Sequence, residues 1–181
     1  MTLSGASLTM PRQAWVLLTG GSPAAVAGLQ AQVAPRLAAA LDLPLLEPLD
    51  PLAPDRALST LAEAGAGLTP LHRDPGHGLG DGRHWAEVLG AWRQPVVVVL
   101  TAEQLETGLA AALVALLQQW QTPCVGLVQW GGSWDPEQRR RDRLPWLGRL
   151  PWLGQLPPEQ DRDAGLALRW GAGARWSLWQ G

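Results

Sequence analysis

Histidine and aspartate crowd one short stretch of this chain. In HRDPGHGLGDGRH, His72 to His84, three imidazoles (His72, His77 and His84) and two carboxylates (Asp74 and Asp81) alternate with glycine. Imidazole and carboxylate are zinc and iron ligands, so a metal-dependent enzyme or small hydrolase using loop 72–84 is one reading. The spacings H-x4-H-x6-H follow no closed zinc pattern, and a glycine-rich connection without any ligand is the other reading. A Ser22–His72–Asp81 relay would need a nucleophile elbow. GGSPA departs from G-x-S-x-G at its last residue, and only one strand precedes it.

A second chemical feature lies upstream. LLTGGSPAAVAG, Leu17 to Gly28, runs from an apolar strand through Gly20, Gly21 and Ser22 into a helix. A helix start of this kind attracts anions through its dipole and unpaired N–H groups. A plainer account also fits every residue: glycine makes the tight turn, Ser22 caps the helix and Pro23 takes its first position.

Composition narrows the chemistry. All 14 basic residues are arginine, and lysine, isoleucine, asparagine, phenylalanine and tyrosine are absent, as in the product of a GC-rich genome. Without lysine there is no Schiff-base amine, no ammonium for a β/γ-phosphate and no lysine general base. A net charge of −2 argues against nucleic-acid or anionic-membrane partners. No apolar run spans a bilayer, and the first residues lack an export signal. Cys124 alone can form no internal disulfide. The expectation is a cytoplasmic protein with a loose leader over 1–13 and one α/β domain over 14–181.

The elements that must position these residues follow from pattern. AWVLLT reads as a first strand, then a helix from Pro23 to about Leu41 that Pro35 kinks or splits. LPLLEPL is a weak strand and Pro54 to Ala64 a helix. Gly65 to Gly82 reads as loop, and a short helix follows to Arg93. PVVVVLT and PCVGLVQW are continuous apolar runs of the buried parallel-strand type. Between them one helix places Leu105, Leu109, Ala112, Leu113, Leu116 and Trp120 on one face. The tandem hexapeptides LPWLGR and LPWLGQ are too few for a solenoid. A last helix runs from Pro158 to about Trp170. The sum is a three-layer α/β/α fold with a mostly parallel sheet, P-loop-NTPase-like in type.

Other residues carry plain readings. Arg139, Arg140, Arg141 and Arg143, interleaved with Asp135, Glu137 and Asp142, read as a solvated helix face rather than a phosphate site. Cys124 reads as a buried small hydrophobe. The 11 tryptophans replace the missing aromatics, and Trp134, Trp146 and Trp152 sit in loop-like contexts suited to a groove or partner surface.

Three stretches together resemble dethiobiotin synthetase and its relatives among the parallel-sheet nucleotide-binding proteins. AGAGLTPL (Ala64–Leu71) is similar to that family's Gly-Ala-Gly-Gly segment, and HWAEVLGAWRQPVVVVL (His84–Leu100) to the helix and strand after it. PWLGRLPWL (Pro145–Leu153) resembles the late P-x-L-G-x-[IL]-P motif beside the nucleotide base. The resemblance covers about residues 64–157. It implies ATP- and Mg²⁺-dependent closure of the ureido ring of 7,8-diaminononanoate with CO2, through a carbamate, in a protein that often pairs into a homodimer. Nucleotide contacts would come from Gly20, Gly21 and Ser22, from Gly65 and Gly67, and from Pro145, Gly148 and Pro151, with Glu63 at the metal-phosphate site.

The departures are chemical. A Walker-type loop needs G-x-x-x-x-G-K-[ST], and here Ala27 or Gly28 stands where the Lys or hydroxyl belongs. Glu47-Pro48 replaces the family's substrate-holding Lys-Pro, the base-reading Asn falls near Trp130, and the stretch from Pro48 to Gly65 is short. The expectation is a non-catalytic or altered relative, a pseudoenzyme. The alternatives are the His-loop enzyme and a non-enzymatic scaffold that presents tryptophans to a protein partner.

Overall fold

Val96 to Leu100 are all fully buried, as a β-branched run must be when helices cover both faces of its sheet. This strand is part of a five-stranded sheet in a computed structural model that describes residues 13–150 and 158–179. The strands are β1 (Ala14–Leu18), β2 (Gly67–Pro70), β3 (Val96–Thr101), β4 (Cys124–Trp130) and β5 (Trp146–Leu150). Their order is β2-β1-β3-β4-β5, and every pairing is parallel.

Alternate residues of each strand feed two cores. On one face Val16, Leu18, Val96, Val98 and Leu100 meet α2 (Pro54–Glu63), α3 (Trp85–Ala91) and α5 (Leu109–Gln119). On the other, Trp15, Leu17, Val97, Val99, Val125 and Val128 meet α1 (Pro23–Leu41) and α7 (Pro158–Trp179). The fold is therefore three-layer α/β/α, as the pattern predicts. No helix among the described residues is long and apolar enough to cross a membrane.

Several elements differ from the pattern reading. Helix α1 runs unbroken through Pro35, which is exposed, so the carbonyl it leaves unpaired lies on the solvent side. LPLLEPL forms no strand of its own. Only Leu45 bridges Leu68, since Pro44 and Pro48 have no N–H to give. Conversely Gly67–Pro70, read as loop, is a buried strand in register with Ala14–Leu17. Its Gly67 is crowded, because a Cβ there would lie 2.6 Å from Leu46 Cγ.

The helix after β3 is two. The short α4 (Ala102–Leu105) closes in a capping box between Thr101 and Gln104, and α5 starts only at Leu109. Ala110, Leu113, Val114 and Leu117 are the buried residues of α5; of the predicted face, Leu105, Leu109, Leu116 and Trp120 pack partly buried against the same core, and Ala112 alone is exposed. The W-L-G-R-L stretch, Trp146–Leu150, is edge strand β5 rather than loop. Helix α7 extends to Trp179, where Leu168, Ala172 and Trp176 bury against the sheet. Residues 1–12 of the expected leader, and Pro151 and Trp152 of the second hexapeptide, lie outside the described residues.

Candidate functional site

The helices that follow the adjacent strands β1 and β3 cover opposite faces of the sheet: α1 packs on one, α5 on the other. A crevice at the carboxyl ends of such a strand pair is where open parallel sheets bind ligands. Here it lies between the Thr19–Ser22 turn and the Thr101–Gly108 segment.

The chain's own side chains fill it. Gln104 closes the capping box with Thr101, its Oε1 accepting from Thr101 N–H at 2.9 Å, and its Nε2 donates to the Gly20 carbonyl at 2.8 Å. A Cβ on Gly20 would come within 3.0 Å of Leu109 Cδ1 and 3.1 Å of Asp74 Oδ2. Gly21 takes a φ of 135°, a backbone that favours glycine, and its N–H donates to Asp74 Oδ2 at 2.8 Å. Asp74 Oδ1 accepts from Gly76 N–H at 2.8 Å. A carboxylate of the protein thus holds the N–H of the glycine turn.

The helix start offers an anion little else. Pro23 has no N–H, and Ser22 Oγ accepts from Ala25 N–H at 3.4 Å as the N-cap. Thr19, buried at the turn, has a hydroxyl with no partner among the described residues.

The residues implied by resemblance do not gather at this crevice. Gly67 pairs with Ala14, at the amino end of β1, while Gly20 and Gly21 lie beyond its carboxyl end. The six residue steps from Ala14 to Gly20, most of them in strand β1, separate the two levels by roughly 20 Å. Gly65 and exposed Glu63 precede β2 and lie at the same amino end. Pro145 precedes β5, its carbonyl accepting from Leu127 N–H at 2.9 Å, and Gly148 sits mid-strand opposite Val128. Of the candidate glycines, only Gly20 and Gly21 border the crevice.

The histidines disperse as well. Among the described residues no three His, Cys, Asp or Glu side chains are placed to share a metal ion. His84 is the N-cap of α3, with Nδ1 accepting from Glu87 N–H at 3.4 Å and its ring edge-on to Trp120 at 5.2 Å. His72 is half-buried and His77 exposed. Asp81 is held by Arg83 at 2.7 Å, and no hydrogen bond among the described residues joins Ser22, His72 and Asp81. Arg83 also grips Asp55 at 2.7 Å, and these bonds hold both carboxyls below the usual aspartate range.

The arginine-rich stretch is α6 (Pro136–Arg141), capped by Asp135, whose carboxyl is lowered by the N–H bonds of Gln138 and Glu137. Arg139 lies 5.0 Å over the Trp146 ring and reaches Gln129 Oε1 at 3.3 Å, while Trp146 Nε1 donates to Asp142 at 2.9 Å. Trp134 packs edge-on to Trp146 at 6.0 Å. Arg139 thus ties α6 to the sheet edge rather than lying on a solvated face. Cys124 is buried, which pushes its thiol up to about 12.

Gln104 is absent from the sequence-based candidates, although Thr101-Ala-Glu-Gln104 is a capping-box signature before an apolar run. Asp74 stands out in the sequence only as a candidate metal ligand, and nothing local ties it to Gly21. Compared with known proteins, the sequence matches no protein-family model and no curated protein.

Proposed function

We propose that this chain is a non-catalytic, dethiobiotin-synthetase-like α/β protein that acts by binding and does not drive ring closure with ATP. The observation that carries this reading is the 2.8 Å bond from Gly21 N–H to Asp74. Where a phosphate-holding turn needs bare N–H groups and an ammonium, this one has a carboxylate and a chain without lysine. At an effective dielectric near 20, that carboxylate opposes each phosphate charge about 4 Å away by roughly 4 kcal/mol. ATP and Mg²⁺ do not fit such a turn, so no catalytic step is assigned to it. The single buried cysteine and the charge balance suit the cytoplasm.

Binding to a protein partner, a second copy included, has its own support. Leu166, Trp170 and Leu178 are 49%, 53% and 79% exposed along α7 at multiples of four residues, which puts them along one side of the helix.

A thermal-shift screen tests the reading. ATP with Mg²⁺ at millimolar concentration is expected to leave the melting temperature unchanged, because a ligand that does not bind the native state adds nothing to its stability. Magnesium-dependent stabilisation or ATP turnover overturns it. Light scattering of wild type against Trp170→Glu tests the partner surface, with self-association expected only in the wild type.

A further inference from the structure

Three arginines from three separate segments line one cleft of about 670 Å³ at the amino-terminal edge of the sheet, opposite the glycine turn. Arg93 follows α3, Arg143 follows α6, and Arg175 projects from α7 with Nε donating to the Val125 carbonyl at 2.7 Å. No carboxylate lines the cleft among the described residues, and none of them pairs with Arg93 or Arg143. The amide side chains of Gln118 and Gln121 add further donors at the rim.

These arginines have an ordinary explanation to beat, since basic groups complement helix carboxyl ends. The magnitudes decide. Each of the three helix ends here, α3, α5 and α6, carries roughly half a negative charge, and together they cancel about half of the three guanidinium charges. The terminal carbonyls of α3 and α5 are already bonded by backbone: Arg93 N–H to Gly90 and Gln94 N–H to Leu89, Gln121 N–H to Gln118 and Thr122 N–H to Leu117. The guanidiniums are not needed there. A surplus of one to two positive charges is left over a partly apolar floor of Val114, Leu144 and Cys124.

The geometry points to a binding site for a small organic phosphate at this cleft, a phosphomonoester dianion held by Arg93, Arg143 and Arg175 with its organic part on the apolar floor. Arginine forks and amide donors suit a tetrahedral oxyanion, and the charge matches. The site is separate from the crevice and does not depend on the function proposed for the chain.

Phosphorus NMR titration with phenyl phosphate tests it, run beside inorganic phosphate, with phenol binding followed by proton NMR. Wild type is expected to bind phenyl phosphate at about 1 mM or below, and Arg93→Gln/Arg143→Gln about tenfold more weakly. Exposed Arg56→Gln, on α2, should bind as wild type does. Arg93 and Arg143 are both exposed and have positive φ, and Gln121 shows glutamine in that same backbone state, so the double variant should fold, as circular dichroism would verify. No binding by wild type, or equal weakening in Arg56→Gln, overturns the site. Inorganic phosphate binding as tightly as phenyl phosphate, or phenol binding as tightly, overturns the organic-phosphate assignment.

Discussion

Asp74 Oδ2 accepts a 2.8 Å hydrogen bond from the N–H of Gly21, a partner 53 residues away in sequence. Its other oxygen accepts from Gly76, so one carboxylate ties the loop after β2 to the turn after β1. Asp74→Ala should lose about 1–3 kcal/mol of stability through these charge-assisted bonds. Asp74→Asn, with one acceptor oxygen for two N–H donors, should lose less. Urea unfolding with an unchanged m-value checks both, and a midpoint equal to wild type in Asp74→Ala would remove the tie.

Two glycine substitutions should move stability in opposite directions. A Cβ at Gly90 would lie 2.0 Å from the Trp120 carbonyl oxygen, a backbone atom that cannot yield, so Gly90→Ala should destabilise by about 3 kcal/mol. Gly28 is an exposed position within α1 and a Cβ there meets nothing within 4 Å. Gly28→Ala should stabilise by about 0.5–1 kcal/mol. Thermal melts of the pair are the measurement.

Arg83 gives the protein an acid-sensitive contact. Its hydrogen bonds are the main reason the Asp55 and Asp81 carboxyls lie below the ordinary 3.8, with Trp92 adding to Asp55. A lowered folded-state value stabilises the native state above the unfolded value, and that stabilisation is lost as pH falls through the folded value. Wild type should therefore exceed Arg83→Gln in stability at neutral pH, with the gap closing below pH 3.8. Both acids are exposed, so added salt should narrow the gap too. Melts across pH 2 to 7 would show a pH-independent gap if the contact contributes nothing.

Cys124 should be inert while the protein is folded. Burial pushes its thiol up to about 12, which leaves almost no thiolate at pH 8. Reaction with a disulfide reagent should be far slower than for the urea-unfolded chain. Equal rates would place the sulfur at the surface.

Much of the sheet was legible from local pattern. Val96–Thr101 and Cys124–Trp130 announce themselves because a strand buried on both faces must be apolar at every position. Ser22-Pro23 marks a helix start through capping and a missing N–H alone. Strand β2 was not legible: Gly-Leu-Thr-Pro has no strand character, and pairing with Ala14–Leu17 makes it one. Strand β5, in a stretch that reads as loop, is likewise made by its pairing with β4.

The sequence by itself determined which chemistry is unavailable, because lysine is absent from every position and no packing can restore a lysine ammonium. It also determined the α/β class, since the apolar period of each segment records how many of its faces are buried. Tertiary structure alone decided that Asp74 closes the glycine turn, that Gly67 and Gly20 stand at opposite ends of the sheet, and that Arg93, Arg143 and Arg175 share a cleft. These are meetings between distant segments, fixed by strand order and by where each helix stops, and a local window of sequence carries no trace of either.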